Sequence, residues 1–227
     1  MRKSLTWLVA LAAVAYLALW LFRPPALPFN QAETLVLVRS EGAGTASTVN
    51  RSCWTTLQER RDLFGKVEAW TENEGIVGAG TSAESVRLIN VSVDFFDTLD
   101  VAPLLGRLFV EEDWQASRSR VAVLGHELWQ QRFAGDLNVI GSSIPVNGTE
   151  AKVISVMPPG FQFPSRADRV DLILPLALAE ADSGIAVSLI AKMRTDVARE
   201  REDFTALGES TCGPLEVVAL TEAYFEA

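Results

Sequence analysis

The chain has 227 residues, 20 Lys+Arg against 29 Asp+Glu, and a formal net charge of −9. That acidity argues against nucleic acid, which needs a basic face, and against a polybasic contact with anionic lipid. An apolar fraction of 48% leaves enough material for one core or two small ones once the first residues are set aside.

Leu5 to Phe22 is apolar except for Thr6, follows Arg2 and Lys3, and stops at Arg23-Pro24-Pro25. These 18 residues, at about 1.5 Å each, nearly cross a hydrocarbon core about 30 Å thick. The run is long for a signal peptide and ends in bulky Leu19, Trp20, Leu21 and Phe22, so a retained anchor over residues 1–23 is expected. No comparable run follows, which predicts a single span. Trp7 and Trp20 suit the two interfaces. Arg2 and Lys3 outweigh Arg23, which holds the N-terminus in the cytoplasm. The body then lies outside the inner (cytoplasmic) membrane, in the periplasm of a bacterium.

Pro24, Pro25 and Pro28 stiffen a linker over 24–32. Glu33–Arg39 alternates and reads as a strand; Glu41–Asn50 reads as a loop. Ser52 suits an N-cap, and Trp54, Leu57, Arg61 and Phe64 fall at helical spacing, with Gly65 closing that helix. Val67–Thr71 and Ser85–Val91 are short strands around a Gly-rich turn. Asp94–Leu99 is a short helix burying Phe95, Phe96 and Leu99. Val121–Leu124 is a buried strand, and His126–Phe133 a helix presenting Leu128, Trp129 and Phe133.

Ile144–Met157 is a β-hairpin, because Asn147-Gly148 suits the positive φ angles of a type I′ turn. Asp171–Leu174 is a strand ended by Pro175, Ala186–Met193 a strand, Asp196–Leu207 a charged helix, and Leu215–Leu220 a last strand. The expected fold is α+β. Strand–helix–strand units at 33–85 and 186–227 pair as a split βαβ sheet with helices on one face, around an inserted β-rich segment at 86–185.

Cys53 and Cys212 both lie on the exported side. They either form a disulfide, as an oxidising compartment permits, or remain two separate buried thiols. His126, the only histidine, reads as a surface residue at a helix start rather than a base or ligand. Asp94, Asp97 and Asp100, and Glu111-Glu112-Asp113, read as solvated acidic faces, since a calcium loop needs different spacing. Gly75–Gly80 lacks the Lys-Ser/Thr and helix start of a phosphate loop and reads as a turn. The Asn50, Asn90 and Asn147 matches to the glycosylation pattern are of a kind common by chance. No catalytic residue, cofactor or metal site is expected. Phe161 and Phe163 stand in a Pro/Gly-rigid loop (PPGFQFP, 158–164). Exposed, they would be contact anchors for a partner; turned inward, they would cap the inserted segment's own core.

The stretches VSVDFFDTL (91–99), LGRLF (105–109), VAVLGHELWQQRF (121–133), VIG (139–141), VNG (146–148) and VMPPGFQFP (156–164) follow one another in a characteristic order and spacing. In these stretches the chain resembles the MacB-like periplasmic core domain, the extracytoplasmic module of MacB-type ABC transporter permeases. The resemblance implies a Porter-like subdomain from the flanking units, a Sabre-like one from the middle, and contact with an adaptor protein. Family permeases carry three further spans, absent here, and no Walker A motif is present. The expected function is therefore that of a non-catalytic, single-span subunit acting by protein–protein contact within a larger membrane complex. A photosynthetic reaction-centre–antenna or a respiratory assembly would be examples. The alternative is an accessory periplasmic part of a MacB-type exporter whose permease helices are encoded separately.

Overall fold

The computed structural model describes residues 29, 32–40, 48–114, 120–176, 186–194 and 212–225. The expected anchor with Trp7 and Trp20, most of the linker and the Asp196–Leu207 helix lie outside the described residues. Among the described residues, no helix is long and apolar enough to cross a membrane.

The first strand, β1 (Leu35–Ser40), is buried on both faces, which explains its run of apolar residues. Leu35 and Leu37 enter one core while Val36 and Val38 enter another. Helix α1 (Arg51–Glu59) starts two residues earlier than expected. Asn50, not Ser52, is its N-cap, its side chain accepting from the Cys53 amide at 2.8 Å. The helix also ends before Arg61 and Phe64. The chain turns at Arg60, and Phe64 opens β2 (Phe64–Val77), paired with Met193. Gly65 therefore closes no helix; it sits in β2, where the register shifts between Phe64 and Lys66. Trp54 crosses from α1 to β2, its indole N–H donating to the Val67 carbonyl at 2.9 Å.

Strand β3 (Glu84–Val91) returns antiparallel to β2, and α2 (Phe95–Leu99) buries Phe95, Phe96 and Leu99 as expected. The two-residue β4 (Leu105–Gly106) and β5 (Val121–Leu124) follow, then α3 (His126–Phe133), of which Leu128 and Trp129 are buried. In the hairpin of β6 (Ser143–Val146) and β7 (Thr149–Val156), Asn147 and Gly148 take φ angles of 50° and 75°, as a type I′ turn demands. The body is completed by β8 (Leu172–Pro175), β9 (Ser188–Met193), β10 (Leu215–Ala219) and α4 (Leu220–Ala223).

The described strands form one sheet in the order β10-β1-β9-β2-β3-β8-β5-β7-β4. At one end β10, β1, β9 and β2 each run antiparallel to their neighbours, so β1 and β2 run parallel with β9 between them. Strands from 33–85 and from 186–227 therefore share this end of the sheet. At the other end the sheet curls on itself. Strand β6 pairs with β7 and also touches β2 through Val77 and Val146, closing a ring of β2, β3, β8, β5, β7 and β6. Three bonds reinforce this contact: Gly78 N–H to Pro145 O at 2.9 Å, Asn147 N–H to Ile76 O at 2.9 Å, and Ile76 N–H to Asn147 Oδ1 at 2.8 Å.

Three apolar clusters follow from this shape. One packs α1 against β1, β2, β9 and β10. A second packs the ring strands with Leu128 and Trp129. The third crosses both expected segments, since it holds Leu35 and Ile190 together with Ile89, Val123 and Ile154. The flanking sheet is thus covered on both faces, not one: Leu220, Ala223 and Tyr224 of the C-terminal turn join the side opposite α1. Cys53 and Cys212 are bridged (S–S 2.11 Å), tying α1 to the approach to β10 across 159 positions.

Candidate functional site

Chain connectivity brings four aromatic rings together where the body leaves the linker. Phe29 meets Phe161 at 6.2 Å, Phe163 at 6.3 Å and Tyr224 at 5.7 Å, each nearly perpendicular. Phe163 also packs on Trp70 at 4.8 Å and on Phe95 at 5.0 Å. Phe161 and Phe163 are 3% and 0% exposed, so the exposed-anchor reading of this loop is overturned. The prolines and glycine turn both rings inward, because the core shared by the two segments takes up their apolar area. The turn beyond is fixed by polar bonds. The Phe163 amide donates to the Asp168 carbonyl at 3.1 Å, Ser165 Oγ donates to Asp168 Oδ2 at 2.6 Å, and Arg87 pairs with Asp168 at 2.5 Å. The Arg166 amide donates to the Tyr224 carbonyl at 3.0 Å, joining this loop to the C-terminal turn.

A second arrangement is a buried acid. Glu68 on β2 is 6% exposed and faces Ser92 and the start of α2. Its carboxylate accepts from Ser92 Oγ and from the Asp94 amide at 3.2 Å, while Ser92 Oγ accepts from the Ala69 amide at 2.9 Å. Burial pushes the Glu68 carboxyl up to about 7, against the opposing pull of the Ser92 hydroxyl; the neighbouring Asp94 charge adds to the rise. Lys66 lies between Asp94 at 3.3 Å and Asp97 at 3.4 Å.

That lysine already occupies the space a cation would take between Asp94 and Asp97, while Asp113 is held by Arg107 at 2.7 Å. Among the described residues no group of His, Cys, Asp and Glu is placed to hold a metal ion. His126 begins α3, with its ring 5.6 Å from that of Trp129 and its Nδ1 3.9 Å from Glu127. Gly75, Ile76 and Val77 belong to β2, so only Gly78–Gly80 makes the turn. The space beside Gly78 is filled by the Arg132 guanidinium, which donates to the Ser82 carbonyl at 2.9 Å and pairs with Glu84 at 3.2 Å, leaving no phosphate cradle. A groove of about 670 Å³ is lined by Arg107, Val110, Asp113, Val121 and Lys152 among others. Its Arg107 is spent on Asp113, and no Ser, Thr, Cys or His lines it.

Sequence reasoning passed over Glu68 and Tyr224. The alternation around Glu68 marks a strand but not which neighbour would bury its odd face. Phe29 and Tyr224 stand 195 positions apart and meet only through the fold.

The profile of the MacB-like periplasmic core domain matches residues 10–204. Among solved structures, the periplasmic region of MacB from Actinobacillus actinomycetemcomitans is similar, at 19% identity and a TM-score of 0.66, over 86% of this chain and 92% of that one. The extracellular domain of the noncanonic ABC-type transporter YknZ from Gram-positive bacteria is similar at 13% identity and a TM-score of 0.60, over 81% of this chain and 99% of that one. A domain of a putative permease from Porphyromonas gingivalis is similar at 13% identity and a TM-score of 0.57, over 84% and 91% of the two chains. No curated protein matches the chain. The match over most of its length shows that this chain belongs to the MacB-like periplasmic core domain family.

Proposed function

We propose that this chain is an accessory, extracytoplasmic subunit of an ABC-type transporter, anchored by one span at residues 5–22 and acting by protein–protein contact without chemistry of its own. The family match over residues 10–204 carries this reading. Two of the solved structures similar to it are transporter domains, one from MacB and one from YknZ, and the third is a permease domain. The photosynthetic and respiratory assemblies offered as examples have no such support, and the transporter reading takes their place. Trp7 and Trp20 of the span would stand at the two interfaces. The contact does not run through Phe161 and Phe163, which are spent inside the core. The test is purification of the native protein from membranes in mild detergent, with identification of whatever accompanies it. Permease or ATPase subunits of a transporter are the expected companions. Isolation alone, or with an assembly that transports nothing, would overturn the reading.

A further inference from the structure

We propose that the pole of the body carrying Phe29, Arg166 and Phe225 lies against the headgroup region of the phospholipid bilayer. This rests on the anchored reading above. From Phe22, where the apolar run ends, to Phe29 is seven residue steps, a span of about 25 Å at full extension. Phe29 is not a free end. Its ring is wedged between Phe161, Phe163 and Tyr224, so the short tether fixes that whole pole near the membrane. What the pole presents suits an interface. Phe225 is 39% exposed, in a body where nearly every other aromatic ring is buried or half-buried, and it stacks edge-on against Tyr224 at 5.4 Å. Exposed aromatic rings favour the headgroup level of a bilayer. Arg166 is exposed beside it, bonded through its amide to the Tyr224 carbonyl at 3.0 Å, and its guanidinium makes no ion pair with a described residue. Such a donor matches a lipid phosphate. A single cation of this kind needs no anionic lipid, so the body's negative charge is no obstacle.

The β6–β7 turn is the natural control. Asn147 bonds to Ile76, six residues along β2 from Trp70, whose ring contacts Phe163 at 4.8 Å. The turn therefore stands about 20 Å from the aromatic joint along that strand. The native cysteines are bridged, so one introduced thiol can be labelled alone. The full chain is reconstituted in phosphatidylcholine vesicles with a fluorophore at Ala13→Cys, read against a deep acyl-chain nitroxide, or at Ala167→Cys or Glu150→Cys, each read against a headgroup nitroxide. Strong quenching at positions 13 and 167 with little at 150 is the expected result, and Arg166→Glu should weaken quenching at 167. Quenching at 13 but not at 167, or equally at 167 and 150, would overturn this inference while leaving the anchor in place. Absence of quenching at 13 would overturn the anchor reading itself, and this inference with it. Unchanged quenching at 167 in Arg166→Glu would remove the phosphate contact.

Discussion

Replacing Glu68 by glutamine should stabilise the protein at pH 8 and change little at pH 5. Glu68 is buried, and its carboxyl is pushed up to about 7 from an ordinary 4.5, with burial the largest cause. A carboxyl whose folded pKa lies above its unfolded one holds its proton more tightly in the folded state. Its contribution is therefore fully present below about pH 4.5, declines as the pH rises, and is lost above about 7. That separation corresponds to on the order of 3 kcal/mol, reduced to the extent that Lys66 and the Ser92 hydroxyl stabilise the charge. Glutamine keeps an oxygen to accept from Ser92 and Asp94 but never ionises, so its curve should be flat across this window. The assay is urea unfolding of the full chain in mild detergent at pH 5 and pH 8, followed by tryptophan emission, for both proteins. Equal loss of stability in the two proteins between those pH values would refute the reasoning. So would a Glu68→Gln protein that is no more stable than the parent at pH 8.

Removing the bridge with Cys53→Ser should cost about 2–5 kcal/mol, since 159 positions separate the two cysteines and the chain-entropy model puts such a loop near the upper end; urea midpoints with and without reductant measure it. Phe163→Ala should destabilise by about 3–5 kcal/mol in the same assay, because the ring is fully buried against Trp70, Phe95 and Phe29. Gly125→Ala should cost more than about 1 kcal/mol, since its Cβ would stand 2.0 Å from the Val170 carbonyl oxygen; a lowered melting temperature is the readout. Asn50→Ala removes the cap of α1 and should cost about 1 kcal/mol by the same urea titration.

Most strands were legible because apolar alternation and turn residues act over a few positions. The Asn147-Gly148 hairpin and the short helix of Phe95, Phe96 and Leu99 depend on little else. The end of α1 was not, because Phe64 fits the apolar stripe of a helix as well as a strand, and only its pairing with Met193 decides. The candidate site was less legible still. That PPGFQFP turns its rings inward depends on Phe29, Trp70 and Phe95 being there to receive them.

By itself, the sequence determined the acidic body, the apolar leading run, the family stretches and the strand–helix–strand unit at the start of the body. These are properties of composition and of local periodicity, which no distant contact has to complete. Tertiary structure alone decided that β6 closes a ring onto β2, that one apolar cluster crosses both segments, and that Glu68 is buried beneath Ser92. It also decided which of two states the cysteines take, and that Phe29 meets Tyr224. Each of these joins positions far apart in the chain, and a pairing of that kind is set by which surfaces remain to be buried once the local elements have formed.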